Sequence, residues 1–423
     1  MALQLENLRH DANSCIRCSM CKFVDMVWTQ SARFARQCPI NVRYKFNLYS
    51  APGLMACARA IMDGHLEFTP KLLDALYKCT LCGACDVRCK RNLDPEILSV
   101  IEALKARAVE SGKGPLPEHT KIAENIAKNN NRYGLPHESR LKWITNDIKP
   151  SKKADILFFV GCAASYAHHE IARSTAKILM HSKTDFMVSR EESCCGYLLY
   201  ATGQVDAFKK QAERNIDMVS KSGATTILLS CAEGYKTWKV DYPKVLGKET
   251  ANMPYKVIHI VEHMDQEVKK GSLKFNKSIP LKITYHDPCN LGRLSEPWLV
   301  WEGTHERYGV TNPPKTFRRD GHAGVYEQPR DILKSIPGIE LLEMPRARDN
   351  AWCCGAGAGV DAAFPEFASW TASERLEEVI SIGAEAIVTS CPACKDMFQK
   401  AVQSCGIKLK VYDITEIINE VLS

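Results

Sequence analysis

The sequence lacks long hydrophobic runs and an export signal. No stretch of its 423 residues approaches the roughly eighteen consecutive apolar residues typical of a membrane-spanning helix. The opening residues, MALQLEN, also lack the basic and apolar regions of a signal peptide. We therefore expect no membrane span and a cytoplasmic protein.

Two further absences limit the partners and cofactors of the chain. No GxGxxG motif follows a predicted strand, because the glycine-rich segment 355–359 belongs to a cysteine motif, so we expect no nucleotide or flavin bound by this chain. Lys and Arg exceed Asp and Glu by only seven, 56 against 49, which is weak evidence for nucleic-acid binding, and we expect no nucleic-acid partner. Hydrophobic content of 45% and charged content of 25% are typical of a globular protein with two or three domains.

Cysteine, in contrast, is abundant. The chain has 19 cysteines, an odd count that disfavours a complete disulfide framework. Because no export signal accompanies them, they indicate a reducing and oxygen-poor compartment.

Seven cysteines near the N-terminus follow the spacing of iron–sulfur ligands. They are Cys15, Cys18 and Cys21 in CxxCxxC, and Cys79, Cys82, Cys85 and Cys89 in CxxCxxCxxxC. Three thiolates in a short loop reach three irons of a [4Fe-4S] cube, and the fourth ligand comes from the other motif. Zinc sites favour two CxxC pairs, and disulfides between residues three apart are strained, so both alternatives are disfavoured. The motifs predict two [4Fe-4S] clusters.

The crossed pattern nominates a fourth ligand for each cluster. Cys89 is expected to complete the cluster of the first triplet, and Cys38, which precedes Pro39, the cluster of Cys79, Cys82 and Cys85. Sixteen residues separate Cys21 from Cys38, where the ferredoxin pattern has about three. An insertion therefore lies in the first motif, and Cys57 remains an alternative fourth ligand.

Several cations flank these motifs. They could stabilise a reduced, anionic cluster or steer an acidic donor, or they could form only a solvated basic face. The flanking cations are Arg17, Lys22, Lys78, Arg88, Lys90 and Arg91.

The organisation of the chain predicts a helical domain followed by two α/β lobes. Residues 1–110 carry the two motifs among segments with helical periodicity, at 70–77 and 96–104, and predict a two-cluster ferredoxin-like domain. Residues 111–152 are polar and rich in Gly, Pro and Asn, so we expect a connector with a helix or two. The lobes are expected at 153–275 and 276–423.

The two lobes repeat one another in sequence. Segments 155–162, 194–196 and 223–231 resemble segments 281–289, 353–355 and 383–391, respectively. Apolar strands alternate with helices, expected at 204–222 and 365–382, which predicts short parallel sheets flanked by helices. The repeated cysteines fall where strands end or helices begin, the edge at which open α/β sheets bind ligands. The repeat therefore predicts two pseudo-symmetric lobes that face a shared cluster region.

The second lobe has more cysteines at these positions than a cubane needs. Its five are Cys289, Cys353, Cys354, Cys391 and Cys394, and the first lobe has Cys162, Cys194, Cys195 and Cys231. Adjacent cysteines suit neighbouring irons of a more open cluster, and the Gly after them permits close backbone approach. Gly234 occupies the fifth position of the first lobe, which could hold a differently ligated iron–sulfur cluster or only buried thiols. Cys405 is expected to be a core residue.

With these motifs, the chain resembles the heterodisulfide reductase D-type family nearly end to end. In that family a two-cluster ferredoxin domain precedes two cysteine-rich CCG domains. The resemblance implies a noncubane [4Fe-4S] cluster on the five cysteines of the second lobe, which can deliver single electrons to a disulfide. The opening residues also resemble the HdrD-like subunit of class II benzoyl-CoA reductase complexes, which implies a role in anaerobic aromatic degradation.

We therefore expect an electron-transfer subunit of an oxidoreductase complex, placed between a flavoprotein or ferredoxin and a further subunit. The alternatives are a heterodisulfide or disulfide reductase acting at the complete motif, an iron–sulfur subunit of a glycolate, lactate or glycerol-3-phosphate dehydrogenase, and an interaction scaffold. His286 and Asp287 could donate a proton to a leaving thiol or only orient a loop. Arg293 and Lys395 could bind an acidic substrate or neutralise a cluster.

Overall fold

The N-terminal part of the chain is helical. The computed structural model describes residues 3–90, 94–306 and 310–422, so Arg91 lies outside the described residues. The first seven helices are α1 (Arg9–Ser14), α2 (Met26–Thr29), α3 (Pro39–Tyr44), α4 (Ala51–Met62), α5 (Pro70–Tyr77), α6 (Ala84–Lys90) and α7 (Ile97–Glu110). Helix α7 lies at the centre, because most of its residues are buried and it contacts α1, α4, α5 and α6.

Local sequence explains where these helices begin. Thr69 caps α5 by accepting a hydrogen bond from the Leu72 backbone N–H at 3.2 Å, and Pro70 occupies the first turn, where no backbone donor is needed. Leu72 and Leu76 lie on one face of α5 and pack into the core that α7 shares. The periodicity at 70–77 and 96–104 thus corresponds to two packed helices.

The predicted connector is folded against its neighbours. It contains α8 (Pro117–Asn129) and a 3₁₀ helix at His137–Leu141. Ile126 of α8 packs into the core of the first lobe. Arg140 is buried and pairs with the buried Glu192 at 2.6 Å. The segment is therefore an integral layer between the helical domain and the first lobe.

The first lobe is a three-stranded parallel sheet with helices. Its strands are β1 (Ile156–Phe159), β2 (Thr226–Leu229) and β3 (Lys256–His259), in that order. Its helices are α9 (Gly161–Tyr166), α10 (His169–His181), α11 (Tyr197–Ala201), α12 (Val205–Ser222), α13 (Ala232–Lys236), α14 (Tyr242–Leu246) and α15 (Ile260–Lys270). A π-helical segment at Thr237–Asp241 joins α13 to α14.

The second lobe is built around a four-stranded parallel sheet. Its described strands are β4 (Leu281–His286), β5 (Thr304–His305), β6 (Thr311–Asn312), β7 (Ile339–Leu342), β8 (Ala386–Thr389) and β9 (Lys410–Asp413). The parallel sheet has the order β7-β4-β8-β9, and β5 and β6 form a separate antiparallel pair. The helices are α16 (Glu327–Lys334), α17 (Val360–Ala363), α18 (Pro365–Ser381), α19 (Pro392–Cys405) and α20 (Ile414–Leu422).

The expected combination of helices and parallel sheets is confirmed. The helices predicted at 204–222 and 365–382 correspond to α12 and α18. Each sheet buries apolar strand residues, such as Leu228 in β2 and Ile387 in β8. Within the described part of the chain, none of the helices is both long and apolar enough to cross a membrane.

A buried ion pair joins the helical domain to the first lobe. Glu102 of α7 accepts hydrogen bonds at 2.7 Å from both Lys244 of α14 and the Tyr200 hydroxyl of α11. Burial raises the pKa of Glu102, but Lys244 more than compensates, so the carboxyl titrates below its usual range. The domains are therefore held together by a charged contact inside the interface as well as by apolar packing.

Removing this carboxylate should destabilise the protein. Glu102→Ala leaves the Lys244 ammonium buried without its partner, a change that typically costs about 3–5 kcal/mol. We expect the apparent Tm, measured by anaerobic calorimetry at one scan rate, to fall by about 5 °C or more. Asp217→Ala, which removes the exposed pair with Lys221, is the control and should change it by about 1 °C or less. Equal effects of both variants would contradict this interpretation of the interface.

Candidate metal centres

The first triplet and Cys89 surround one cavity. Cys15, Cys18 and Cys21 lie on the loop after α1, and Cys89 comes from α6; all four line the cavity. Arg17 and Ser19 have φ of 56° and 65°, and this left-handed backbone curls the loop around the space. Cys18 is exposed, whereas Cys21 is buried. This site therefore reaches the protein surface on one side.

A second cavity brings together the other triplet and Cys38. Cys79, Cys82 and Cys85 lie on the loop between α5 and α6, and Cys38 precedes α3; all four line this cavity. The loop turns through left-handed backbone at Leu81 and Gly83. Cys57 lies on α4 outside this lining, so the structure places Cys38, and not its rival, beside the triplet. The two cavities adjoin, since Cys21 and Cys85 interact electrostatically.

Two buried cations hold the backbone of the second triplet. Lys105 of α7 donates to the carbonyls of Cys79 at 3.1 Å and of Ala201, in the first lobe, at 3.2 Å. Arg293 donates to the carbonyls of Cys82 at 2.6 Å and of Ala351, in the second lobe, at 2.7 Å. Each cation thus links this triplet to one lobe. Arg293 acts on a cysteine motif, as one of its two expected roles requires.

The thiols of the second lobe lie close together. The Cys394 thiol donates to that of Cys354 at 3.1 Å, and Cys391 precedes α19 and contacts Cys394. Hydrogen bonds from Cys353 and Cys394 lower the pKa of Cys354 to about 6. Cys289 packs against Cys353. All five cysteines of the second motif therefore converge, although they come from three separate segments.

This group of thiols touches the second cavity. The Cys353 thiol donates to the Thr80 hydroxyl at 3.4 Å and is in hydrogen-bonding contact with the Cys82 thiol. A Cβ on Gly357 would lie 2.3 Å from the Thr80 carbonyl oxygen, so only glycine permits this approach. The helical domain and the second lobe therefore meet thiol to thiol.

The thiols of the first lobe form two groups. Cys162 contacts Cys194, which contacts the neighbouring Cys195. Cys231 is instead in hydrogen-bonding contact with Cys391 of the second lobe. The two cysteine-rich regions therefore face each other across the interface between the lobes.

The missing fifth cysteine of the first lobe has a packing counterpart. Gly234 lies where the second lobe has Cys394, and a Cβ there would approach the Leu229 side chain to 2.9 Å. A cysteine at this position would require Leu229 to move. The first lobe is therefore packed for glycine at this point.

The residues proposed as proton donors differ in their surroundings. Asp287 accepts two hydrogen bonds from Arg330, at 2.7 and 3.0 Å, and one from the Arg348 backbone N–H. These contacts orient the loop that carries Cys289. A ring nitrogen of His286 lies within 4.8 Å of the Cys354 and Cys394 thiols.

Three expectations need correction or refinement. Lys395 is committed to Glu170 and Glu416, at 2.8 and 2.9 Å, so it neither binds a substrate nor faces a thiol group. Cys405 is exposed at the end of α19, so its prediction as a core residue was wrong. Among the flanking cations, Lys78, Arg88 and Lys90 are bound to Asp74, Asp25 and Asp86, respectively.

The donor chemistry of these sites fits iron–sulfur clusters. Each cavity of the helical domain has four thiols around one space, as a [4Fe-4S] cluster requires. Burial raises the pKa of most of these thiols, for example those of Cys21 and Cys89 to about 12. They become thiolates when bound iron supplies compensating positive charge.

Comparison with known proteins supports the same chemistry. Residues 11–93 match the family "4Fe-4S dicluster domain", and residues 156–234 and 316–399 match the family "Cysteine-rich domain". The chain is 30% identical to the D-type subunit of dihydromethanophenazine:CoB–CoM heterodisulfide reductase of Methanosarcina acetivorans, over 100% of this chain and 95% of that protein. It is 27% identical to the B-type subunit of fumarate reductase (CoM/CoB) of Methanothermobacter marburgensis, over 96% of this chain and 71% of that protein.

A third relative is larger. EtfAB:quinone oxidoreductase of Syntrophomonas wolfei is 24% identical over 96% of this chain and 58% of that protein. The matched residues in all three relatives span nearly the whole of this chain.

The position of Cys38 leads to a test of the ligand set. Cys38→Ala removes a thiol from the second cavity and should lower bound iron by up to about four atoms per chain, measured by anaerobic iron and sulfide analysis. Cys57→Ala removes a thiol outside that lining and should leave the iron content unchanged. Loss of iron from the Cys57 variant alone would show that the fourth ligand is Cys57.

Proposed function

Since the chain belongs to the heterodisulfide reductase D-type family and is thus an iron–sulfur oxidoreductase subunit, we propose that it carries single electrons between a flavoprotein or ferredoxin and a further subunit. The helical domain receives the electrons in this proposal. The cysteine-rich lobes deliver them. The iron–sulfur clusters supply the one-electron carriers, and the chain holds, spaces and shields them.

The proposed ligand sets follow from which thiols lie together. One [4Fe-4S] cluster is assigned to Cys15, Cys18, Cys21 and Cys89, and the other to Cys38, Cys79, Cys82 and Cys85. A noncubane cluster is assigned to Cys289, Cys353, Cys354, Cys391 and Cys394. Because Gly234 removes the fifth thiol and Cys231 contacts Cys391, the first lobe is assigned no equivalent five-thiol site.

The observation that carries the proposal is the unbroken succession of thiol sites. It begins at the surface with Cys18, continues where Cys21 neighbours Cys85, and reaches the second lobe where Cys82 contacts Cys353. Short separations between successive sites are what electron transfer needs. A scaffold whose clusters were only structural would not need this succession.

Burial favours electron transfer over direct reduction of a disulfide. Cys353, Cys354, Cys391 and Cys394 are only 2–5% exposed. A disulfide substrate has to touch the group that reduces it, whereas an electron does not. The described conformation therefore suits delivery to another subunit better than catalysis at these thiols.

The substrate of the whole complex is a finer matter. The three relatives are named for heterodisulfide, fumarate and quinone chemistry, whereas benzoyl-CoA reduction is implied only by the resemblance of the opening residues. We retain benzoyl-CoA as the proposed substrate of a partner subunit. No residue of this chain is assigned to bind it.

The separate ligand sets can be tested by removing one thiol. Cys354→Ala should abolish the electron paramagnetic resonance signal of the noncubane cluster and leave both [4Fe-4S] clusters reducible by dithionite. Cys405→Ala, which changes an exposed thiol, is the control and should keep every signal. Parallel loss of all signals from the Cys354 variant would mean that the sites do not form independently.

Electron transfer and disulfide catalysis predict different turnover. With reduced viologen as donor, the isolated chain should not reduce a CoB–CoM heterodisulfide above the rate of its Cys354→Ala variant, because the thiols are buried. Oxidation of the viologen, followed by absorbance, measures this. A wild-type rate well above that of the variant would establish disulfide reductase activity instead.

A further inference from the structure

The insertion between Cys21 and Cys38 folds as a small hairpin beside the first cavity. The Val24 backbone N–H donates to the Ala35 carbonyl at 2.7 Å, and Phe23 and Arg36 form an antiparallel bridge. Helix α2, Met26–Thr29, forms the tip. The extra residues therefore build a defined projection next to the cysteine loop.

The hairpin is held in place by the rest of the protein. Arg88 of α6 binds Asp25 at 2.7 Å, and Arg33 binds Glu374 of α18 at 3.0 Å. Arg346 of the second lobe donates to the Arg36 carbonyl. These contacts fix its base from two domains, so its shape does not depend on a partner.

The tip nevertheless exposes large apolar side chains. Val27 is 81% exposed and Trp28 is 65% exposed. With their exposed neighbours they form a surface that we call the tip patch, defined as Ile16, Met20, Phe23, Met26, Val27 and Trp28. Half of the exposed large hydrophobic residues in the described chain lie in this patch. Contiguous patches of this kind mark protein interaction sites, where Trp, Phe and Met are enriched.

The tip patch also covers the first thiol site. Ile16 and Met20 line the cavity together with Cys15, Cys18 and Cys21. A protein seated on the patch would therefore lie directly over the part of the relay that reaches the surface.

The charge around the patch is strongly positive. Residues 15–46 contain six basic residues, Arg17, Lys22, Arg33, Arg36, Arg43 and Lys45, and one acidic residue, Asp25. Asp25 is paired with Arg88. Arg36, Arg43 and Lys45 line an open groove at the base of the hairpin. This field would attract a partner with carboxylates around its contact surface.

We propose that an acidic redox protein docks on the tip patch and exchanges electrons with the site of Cys15, Cys18, Cys21 and Cys89. The inference rests on the proposed electron-transfer function and adds the surface and the charge of the partner. The apolar tip supplies contact area, and the cationic groove orients the partner. A small, partly apolar contact of this kind suits a redox complex that must form and separate quickly.

The test uses a plant-type [2Fe-2S] ferredoxin as an acidic probe and the intact chain with its clusters. Calorimetry measures the binding of the oxidised probe, and stopped-flow absorbance measures electron transfer from the reduced probe. The double substitution Val27→Ser and Trp28→Ser should weaken binding and slow transfer by about tenfold or more. Ile380→Ser, at an exposed position on α18, is the matched control and should change neither.

A charge variant tests the groove. Lys45→Glu should weaken binding and reduce its dependence on salt, whereas Lys408→Glu, exposed on the second lobe, should do neither. Dithionite, a small reductant, should reduce the clusters of every variant at the wild-type rate.

The outcomes separate the two proposals. Unchanged binding and transfer in the tip variant, or no binding of the probe by the wild-type chain, would overturn the docking surface. Failure of dithionite to reduce the wild-type clusters would overturn the proposed function itself.

Discussion

Two buried cations hold the second triplet between the lobes. Lys105 and Arg293 each donate to a cysteine carbonyl of that triplet and to a carbonyl in one of the lobes. Buried cations are costly unless nearby negative charge compensates them, and iron-bound thiolates supply such charge. The chemistry of the cluster and the assembly of the three domains therefore depend on the same contacts.

This arrangement determines how the sites are ordered. The thiols of Cys15, Cys18, Cys21 and Cys89 reach the surface beside the hairpin, while those of the second triplet lie between the domains. The Cys82–Cys353 contact then leads into the second lobe. A chain ordered in this way can accept electrons from a partner at one end while keeping solvent away from the thiols at the other.

The sequence predicted local features better than contacts between distant segments. The CxxCxxC spacing and the apolar periodicity anticipated the triplets and helices α12 and α18, because both signals lie within a short stretch of chain. The contacts of Cys82 with Cys353 and of Cys231 with Cys391 depend on how the domains pack. The same holds for Cys38, which the fold places beside the second triplet. Cys405 was misjudged because a lone cysteine carries no periodic signal of burial.

The most direct test of the relay is the cluster content of the whole chain. Anaerobic iron and sulfide analysis should be combined with electron paramagnetic resonance of the reduced and the thiol-oxidised protein. We predict about twelve irons per chain, from two [4Fe-4S] clusters and one four-iron cluster in the second lobe, together with a signal of the oxidised protein that thiols alter. A content of about eight irons and no such signal would contradict the relay, because it would then end at the second triplet.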